Sequence, residues 1–219
     1  MEELPSERGR IGSPNRDQYW ISQIEEDQKT LPEKEQAQKW GRKIASLERQ
    51  RFIDPLTGIW TLRGIQYQLG HELNLARKYK FPVSVMMFDL DGFKQINDSL
   101  GHDAGNRAIK AMALFLKEAT EETGIIARYG GDEFVLVCPN IDIDGAKIIA
   151  DKIRFNLKQH MKRNKFNVTS SVGLTTLRPD NRNVPRLINE ADHALKAAKE
   201  AGKDTVMIYD QQQMEPEAA

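Results

Sequence analysis

The chain has 219 residues, 39% of them hydrophobic, and its 32 Lys plus Arg balance 32 Asp plus Glu, giving a net charge of zero. A protein that lives on nucleic-acid polymers ordinarily shows a basic excess, so that partner is excluded, while a small nucleotide needs only a few placed cations. The lone cysteine, Cys138, rules out an intramolecular disulfide and suits a reducing cytoplasm; no apolar run nears the roughly 20 residues that span a membrane, and the polar start Met1 to Arg10 lacks a signal-peptide pattern, so a soluble chain is expected.

Residues 1–50 form a polar extension rich in Glu, Gln, Lys and Arg, disordered through Pro14 and then helical over 19–30 and 33–51, with Pro32 between. Trp40, Ile44, Leu47 and Arg51 alternate spacings of four and three along one helical face. The short repeat favours a solvated helix resting a stripe on the domain; the alternative is a dimerising stalk. Asp54-Pro55-Leu56-Thr57-Gly58 then reads as a turn. The spacing of Ile65, Leu69, Leu73 and Ala76 predicts a helix over 62–79. Val83 to Phe88 is a continuous apolar run, predicted as a buried strand leading into Asp89-Leu90-Asp91-Gly92. A helix is predicted over 106–122, with Ile109, Met112, Ala113 and Leu116 inward. Strands over 125–129 and 134–138 flank Gly130-Gly131, a hairpin signal because the favoured two-residue turns need positive φ. Cys138 ends that second strand and reads as a small buried residue. A helix over 144–160, a strand over 166–174, a helix over 184–201 and a strand over 206–209 complete a domain spanning 51–212, followed by a flexible tail, 213–219. This order predicts an α/β (α+β) fold, a mixed central sheet flanked by helices, ferredoxin-like in outline.

Two constellations carry chemistry. Asp89 and Asp91 stand at the carboxyl end of a buried strand, where sheets of this class bind ligands. Hard carboxylate oxygens suit Mg2+, although strands also end in polar residues simply at the surface. The turn Arg128-Tyr129-Gly130-Gly131-Asp132-Glu133-Phe134 brings two acids directly after glycines that allow close approach of a ligand. It reads either as a solvated hairpin or as a second source of metal-site acids. Acids converging from two strand ends can activate a hydroxyl and stabilise a leaving pyrophosphate. Lys94, Lys199 and Lys203 are then candidate phosphate binders, the last two four apart at the end of a helix.

These segments carry a family resemblance. Asp89-Leu-Asp-Gly-Phe-Lys-Gln-Ile-Asn-Asp98, Gly101-His102, Arg128-Tyr-Gly-Gly-Asp-Glu-Phe134, Ser171-Val-Gly173, Ala191-Asp-His-Ala-Leu195 and Ala198-Lys199 with Gly202 resemble the GGDEF diguanylate cyclases, in order and spacing. Asp54-Pro-Leu-Thr-Gly58 resembles the opening of that domain, and the likeness covers roughly 51–210. The resemblance implies a nucleotidyl cyclase palm that condenses two GTP into cyclic di-GMP and pyrophosphate. It implies Mg2+, with Mn2+ as an alternative, held by Asp89, the Leu90 carbonyl and Asp132, which also accepts the 3′-hydroxyl proton. Lys94 would stabilise transition-state charge, and Glu133 would be a further catalytic or supporting carboxylate. The Gly92 and Phe93 amides, Gly131, Lys199 and Lys203 would cradle the triphosphate; Asn97, His102 and Asn106 occupy base and substrate positions, His102 equally readable as a structural hydrogen-bonding group. Each domain would bind one nucleotide, so catalysis implies a homodimer of facing domains. The rival reading is a degenerate nucleotide-binding module, against which the presence of Asp89, Lys94, Asp132 and Glu133 speaks.

The chain also departs from the family pattern. The family resemblance puts Asn106 where an Asp is usual; an amide offers guanine's two donors one acceptor and a donor, which either relaxes guanine selection and permits some mixed cyclic GMP-AMP or is made good by Asn97 and a bridging water, leaving a slower but faithful enzyme. Glu121-Glu122-Thr123-Gly124 replaces the Arg-x-x-Asp of the product-inhibition site. Thr61 and Leu62 replace Asn-Arg before Arg63, and Lys203 stands where Arg is more common, keeping the charge but not the bidentate grip.

Overall fold

A computed structural model describes residues 52–121, 124–178 and 183–210, together with Glu35, Gln38, Lys39 and Arg42, which are helical. The disorder expected through Pro14, the helix expected over 19–30, the stripe of Trp40, Ile44, Leu47 and Arg51, and the tail expected over 213–219 fall outside the described residues.

The elements run β1 (Trp60–Thr61), α1 (Leu62–Tyr79), β2 (Val83–Asp91), α2 (Phe93–Leu100), α3 (His102–Thr120), β3 (Ile125–Gly130), β4 (Glu133–Pro139), α4 (Ile143–Arg163), β5 (Thr169–Thr176), α5 (Val184–Glu200) and β6 (Val206–Ile208). They form one six-stranded sheet in the order β1-β3-β4-β2-β5-β6. The four central strands are antiparallel neighbours, β3 on β4, β4 on β2 and β2 on β5, while β1 and β6 add parallel edges. The central order, with helical crossovers between β2 and β3 and between β4 and β5, is the ferredoxin-like arrangement expected.

Strand side chains alternate between faces, and both faces are covered. Val83, Val85 and Met87 of β2, with Val135 and Val137 of β4, pack against Ile65, Leu69 and Leu73 of α1 and Leu187, Ala191 and Leu195 of α5. Met86, Phe88 and Leu90, with Phe134, Leu136 and Cys138, pack against α3 and α4 through Met112, Leu116, Leu157 and Met161. Phe88 and Phe134 are fully buried, each worth about 2–3 kcal/mol in removed apolar surface. Cys138 is buried as expected, and burial pushes its thiol up to about 12. Three helices begin on side-chain caps: Thr61 accepts from the Gly64 amide, Asp142 from Gly145 and Asn183 from Arg186. At Gly173 the approach of β5 to α5 is so close that a Cβ would meet the Ala191 carbonyl at 2.1 Å.

Several boundaries differ from the sequence reading. The helix α2 was absent from it, because eight residues with one buried side chain, Ile96, give too little periodicity. The following helix begins at His102 rather than 106, since Gly101, at φ 80°, is the joint between α2 and α3. The strand predicted over 166–174 runs 169–176, because the Phe166 amide donates to the Met161 carbonyl and closes α4 instead. In the hairpin, Gly130 pairs with Glu133, so the turn residues are Gly131 and Asp132, one place later than expected. Gly131 supplies the positive φ, 50°.

Candidate active site

Register assembles the acids. Asp89 shares the parity of Val83, Val85 and Met87, so it projects to the α5 side of the sheet. Its antiparallel partner across to β4 is Glu133. Asp132, in the adjoining turn, is close enough for its charge to act on Asp89. Like charges directly opposite one another destabilise a sheet, and Asp89 is buried. Burial, with the neighbouring charges of Asp132 and Asp91 adding to it, raises the Asp89 carboxyl to about 6 even though Lys199 opposes the rise. Asp132 and Glu133 are raised too, each chiefly by burial. The cation paired with Asp89 is Lys199, from the last turn of α5, with Nζ 2.7 Å from Asp89 Oδ2; Arg128 acts on Asp132 and Lys196 on Glu133 from further off.

Asp91 adds its charge to that cluster but is itself tied down. Its carboxylate accepts from the Thr169 hydroxyl at 2.6 Å, the Ser171 hydroxyl at 2.7 Å and the Asp204 amide at 3.1 Å. Read from sequence beside Asp89 as a metal carboxylate, it is instead a fastener between β2, β5 and the segment after α5.

Helix α2 begins immediately beyond the acids. Gly92 caps it at φ 86°, and the Phe93 and Lys94 amides of its first turn have no partner inside the helix. They form the positive end of the helix dipole next to the carboxylates. The Lys94 side chain is exposed. On the other side α2 leans on α3, where a Cβ at Gly105 would lie 2.0 Å from Asn97 Oδ1. Asn97 thus rests on the backbone just before Asn106, and His102 opens the same helix.

A family model described as "Diguanylate cyclase, GGDEF domain" matches residues 51–205. The chain belongs to the GGDEF family. A protein of Mycobacterium tuberculosis is 35% identical over 173 residues, which are 76% of this chain and 27% of that one. Diguanylate cyclase A of Treponema denticola is 31% identical over 141 residues, 63% of this chain and 38% of that protein. The chain therefore spans well under half the length of these curated relatives. Among solved structures, the GGDEF domain of DgcB from Caulobacter crescentus, in complex with c-di-GMP, is 25% identical with a TM-score of 0.67, over 73% of this chain and 93% of that one.

Within this GGDEF domain the fold brings together Asp89, Leu90, Asp132, Glu133 and Lys199 at one sheet end, with Gly92, Phe93 and Lys94 at the adjoining helix start. Asn97, His102 and Asn106 lie further along the α2–α3 pair, and Lys203 follows the end of α5.

One pair that holds the hairpin turn escaped the sequence reading. Arg128 donates from Nε and a terminal nitrogen to the Gly131 carbonyl, at 2.9 and 2.7 Å, and its other terminal nitrogen lies 3.3 Å from Asp54 Oδ2. Asp54 in turn accepts from the Thr57 amide and hydroxyl. The opening turn of the domain is thereby tied to the turn that carries Asp132. Both residues sat inside quoted motifs, but only their spatial meeting, 74 positions apart, shows the clamp.

No helix among the described residues is long and apolar enough to cross a membrane.

Proposed function

We propose that the domain is a diguanylate cyclase that joins two GTP into cyclic di-GMP with release of two pyrophosphates. The observation that carries this reading is Asp89 facing Glu133 across the ladder, with Asp132 beside them, at the positive start of α2. Burying like charges together is costly unless a cation is shared among them.

Asp89, the Leu90 carbonyl and Asp132 would hold the Mg2+, with Mn2+ suited to the same oxygens. Among the described residues no three His, Cys, Asp or Glu side chains form a closed cage. Two carboxylates with a carbonyl match a Mg2+ that completes its shell with water and phosphate oxygens. When bound, the ion supplies positive charge against the phosphates of the nucleotide.

The 3′-oxygen of one nucleotide attacks the α-phosphorus of the other, and the bond to the bridging oxygen of the pyrophosphate breaks. Asp132, in the turn beside Asp89, would take the 3′-hydroxyl proton. Lys94 offsets charge building on the phosphates. The first-turn amides of α2, Gly131, Lys199 and Lys203 hold the triphosphate, Lys199 exchanging Asp89 for phosphate oxygens. Glu133 sustains the negative cluster beside Asp89. Asn97, His102 and Asn106 face the base and sugar. One domain holds one nucleotide, so two chains face each other during turnover.

A second reading of the product rests on Asn106, whose amide leaves a guanine donor facing a donor and tolerates adenine. The test is to incubate the purified chain with Mg2+ and GTP, ATP or both, and to resolve the products by mass. Cyclic di-GMP from GTP alone is expected, with cyclic GMP-AMP appearing only when both are present. No cyclic dinucleotide under any condition would leave a nucleotide-binding module as the reading.

A further inference from the structure

The turn after α5 has uncommon backbone. Gly202, Lys203 and Asp204 follow one another at φ of 109°, 67° and 46°. Only the first is glycine, and side-chain-bearing residues avoid this region, so the surroundings must hold the turn. They do so from three directions. The Lys203 amide donates to the Ala198 carbonyl at 3.1 Å, closing α5. The Asp204 amide donates to Asp91 Oδ2 at 3.1 Å, and Asp91 is itself fixed by Thr169 and Ser171. The Asp204 carboxylate is gripped from α4 by Arg154 and by Lys158, the latter at 2.6 Å. Burial would raise this carboxyl, but Lys158 and Arg154 outweigh it and hold it below the usual range. Lys203 itself has no ion-pair partner among the described residues, and with Asp91 and Gly92 it lines one cleft.

Partly exposed ion pairs contribute little to stability. Two cations reaching 46 and 50 positions along the chain to one turn therefore serve geometry better than they serve the fold. We propose that Asp204 is a positioning residue, locked by Arg154, Lys158 and Asp91, that sets the Lys203 turn against the triphosphate of the substrate. This rests on the reading of Lys203 as a triphosphate ligand.

The test measures calorimetric binding, in Mg2+, of 3′-deoxyguanosine triphosphate, which cannot cyclise, and of guanosine monophosphate. K203A and D204A should each weaken the triphosphate about tenfold, the scale of one charge-assisted contact, and leave the monophosphate unchanged. The K203A/D204A double variant should lose no more than either single one, because both act through one ammonium. D204N, an amide that tolerates the left-handed region, should recover much of the loss. R154M with K158M, which leaves the turn's own sequence intact, should reproduce it. Wild-type triphosphate affinity in D204A, or losses that multiply in the double variant, overturns the positioning role while leaving Lys203 a ligand. An unaffected K203A removes both readings.

Discussion

Asp89→Asn separates the cost of the site from its use. With its carboxyl raised from an ordinary 3.8 to about 6, ionised Asp89 costs the folded chain about 3 kcal/mol at neutral pH. The sign follows from the raised value: the cost is full above about 6 and disappears as pH falls toward 3.8. Asparagine resembles the protonated form and removes that cost. It also removes the partner of Lys199, whose side chain is 35% exposed and can turn to water. The net gain should be about 1–3 kcal/mol, which for a domain of this size is a rise in Tm of roughly 3–9 °C. The assay is thermal unfolding by circular dichroism in chelator at pH 7.5 and at pH 4. A gain at pH 7.5 that vanishes at pH 4 is expected. Adding Mg2+ and 3′-deoxyguanosine triphosphate should raise the Tm of the wild type and not of the variant, and turnover should be abolished. A variant less stable than wild type at pH 7.5, or equally stabilised at both pH values, refutes the picture of a strained carboxylate cluster.

Arg128→Met removes the clamp between Asp54 and the Gly131 carbonyl; kcat should fall at least about tenfold with a change in Tm below about 5 °C, since displacing the turn that carries the proposed base Asp132 costs rate more than stability. Asn106→Asp should raise the GTP-over-ATP ratio of kcat/KM by roughly 5- to 150-fold, the worth of about 1–3 kcal/mol for one mismatched hydrogen bond; an unchanged ratio means the position does not read the base. Added cyclic di-GMP should not inhibit strongly at the site where Arg-x-x-Asp is replaced, as initial rates would report. Rebuilding that motif with E121R and G124D should fail: a Cβ at Gly124 would lie 2.5 Å from the Val137 carbonyl and 2.7 Å from Leu136 Cδ1, so a stability loss of about 1–3 kcal/mol is expected instead of restored inhibition.

Local chemistry along the chain was enough to nominate the candidate site residues and to place most of the sheet. The buried run from Val83, the glycines before Asp132 and the apolar stripe of α1 depend on near neighbours, so they are legible without a fold. The short α2 was not, because its helical state comes from leaning on α3 through Asn97 and Gly105. Nor could local pattern, apart from the family resemblance, separate Asp89 from Asp91. They have the same residue type and the same face of the strand, and they differ only in what stands across from them. Asp91 meets two hydroxyls of β5 and the Asp204 amide, while Asp89 meets Glu133 and the tip of Lys199. The sequence by itself determined which residue types could carry the chemistry and roughly where the elements lie. Only the tertiary structure decided which carboxylate is tied down and which is left strained, because a carboxylate's state is set by partners up to 113 positions away in the chain.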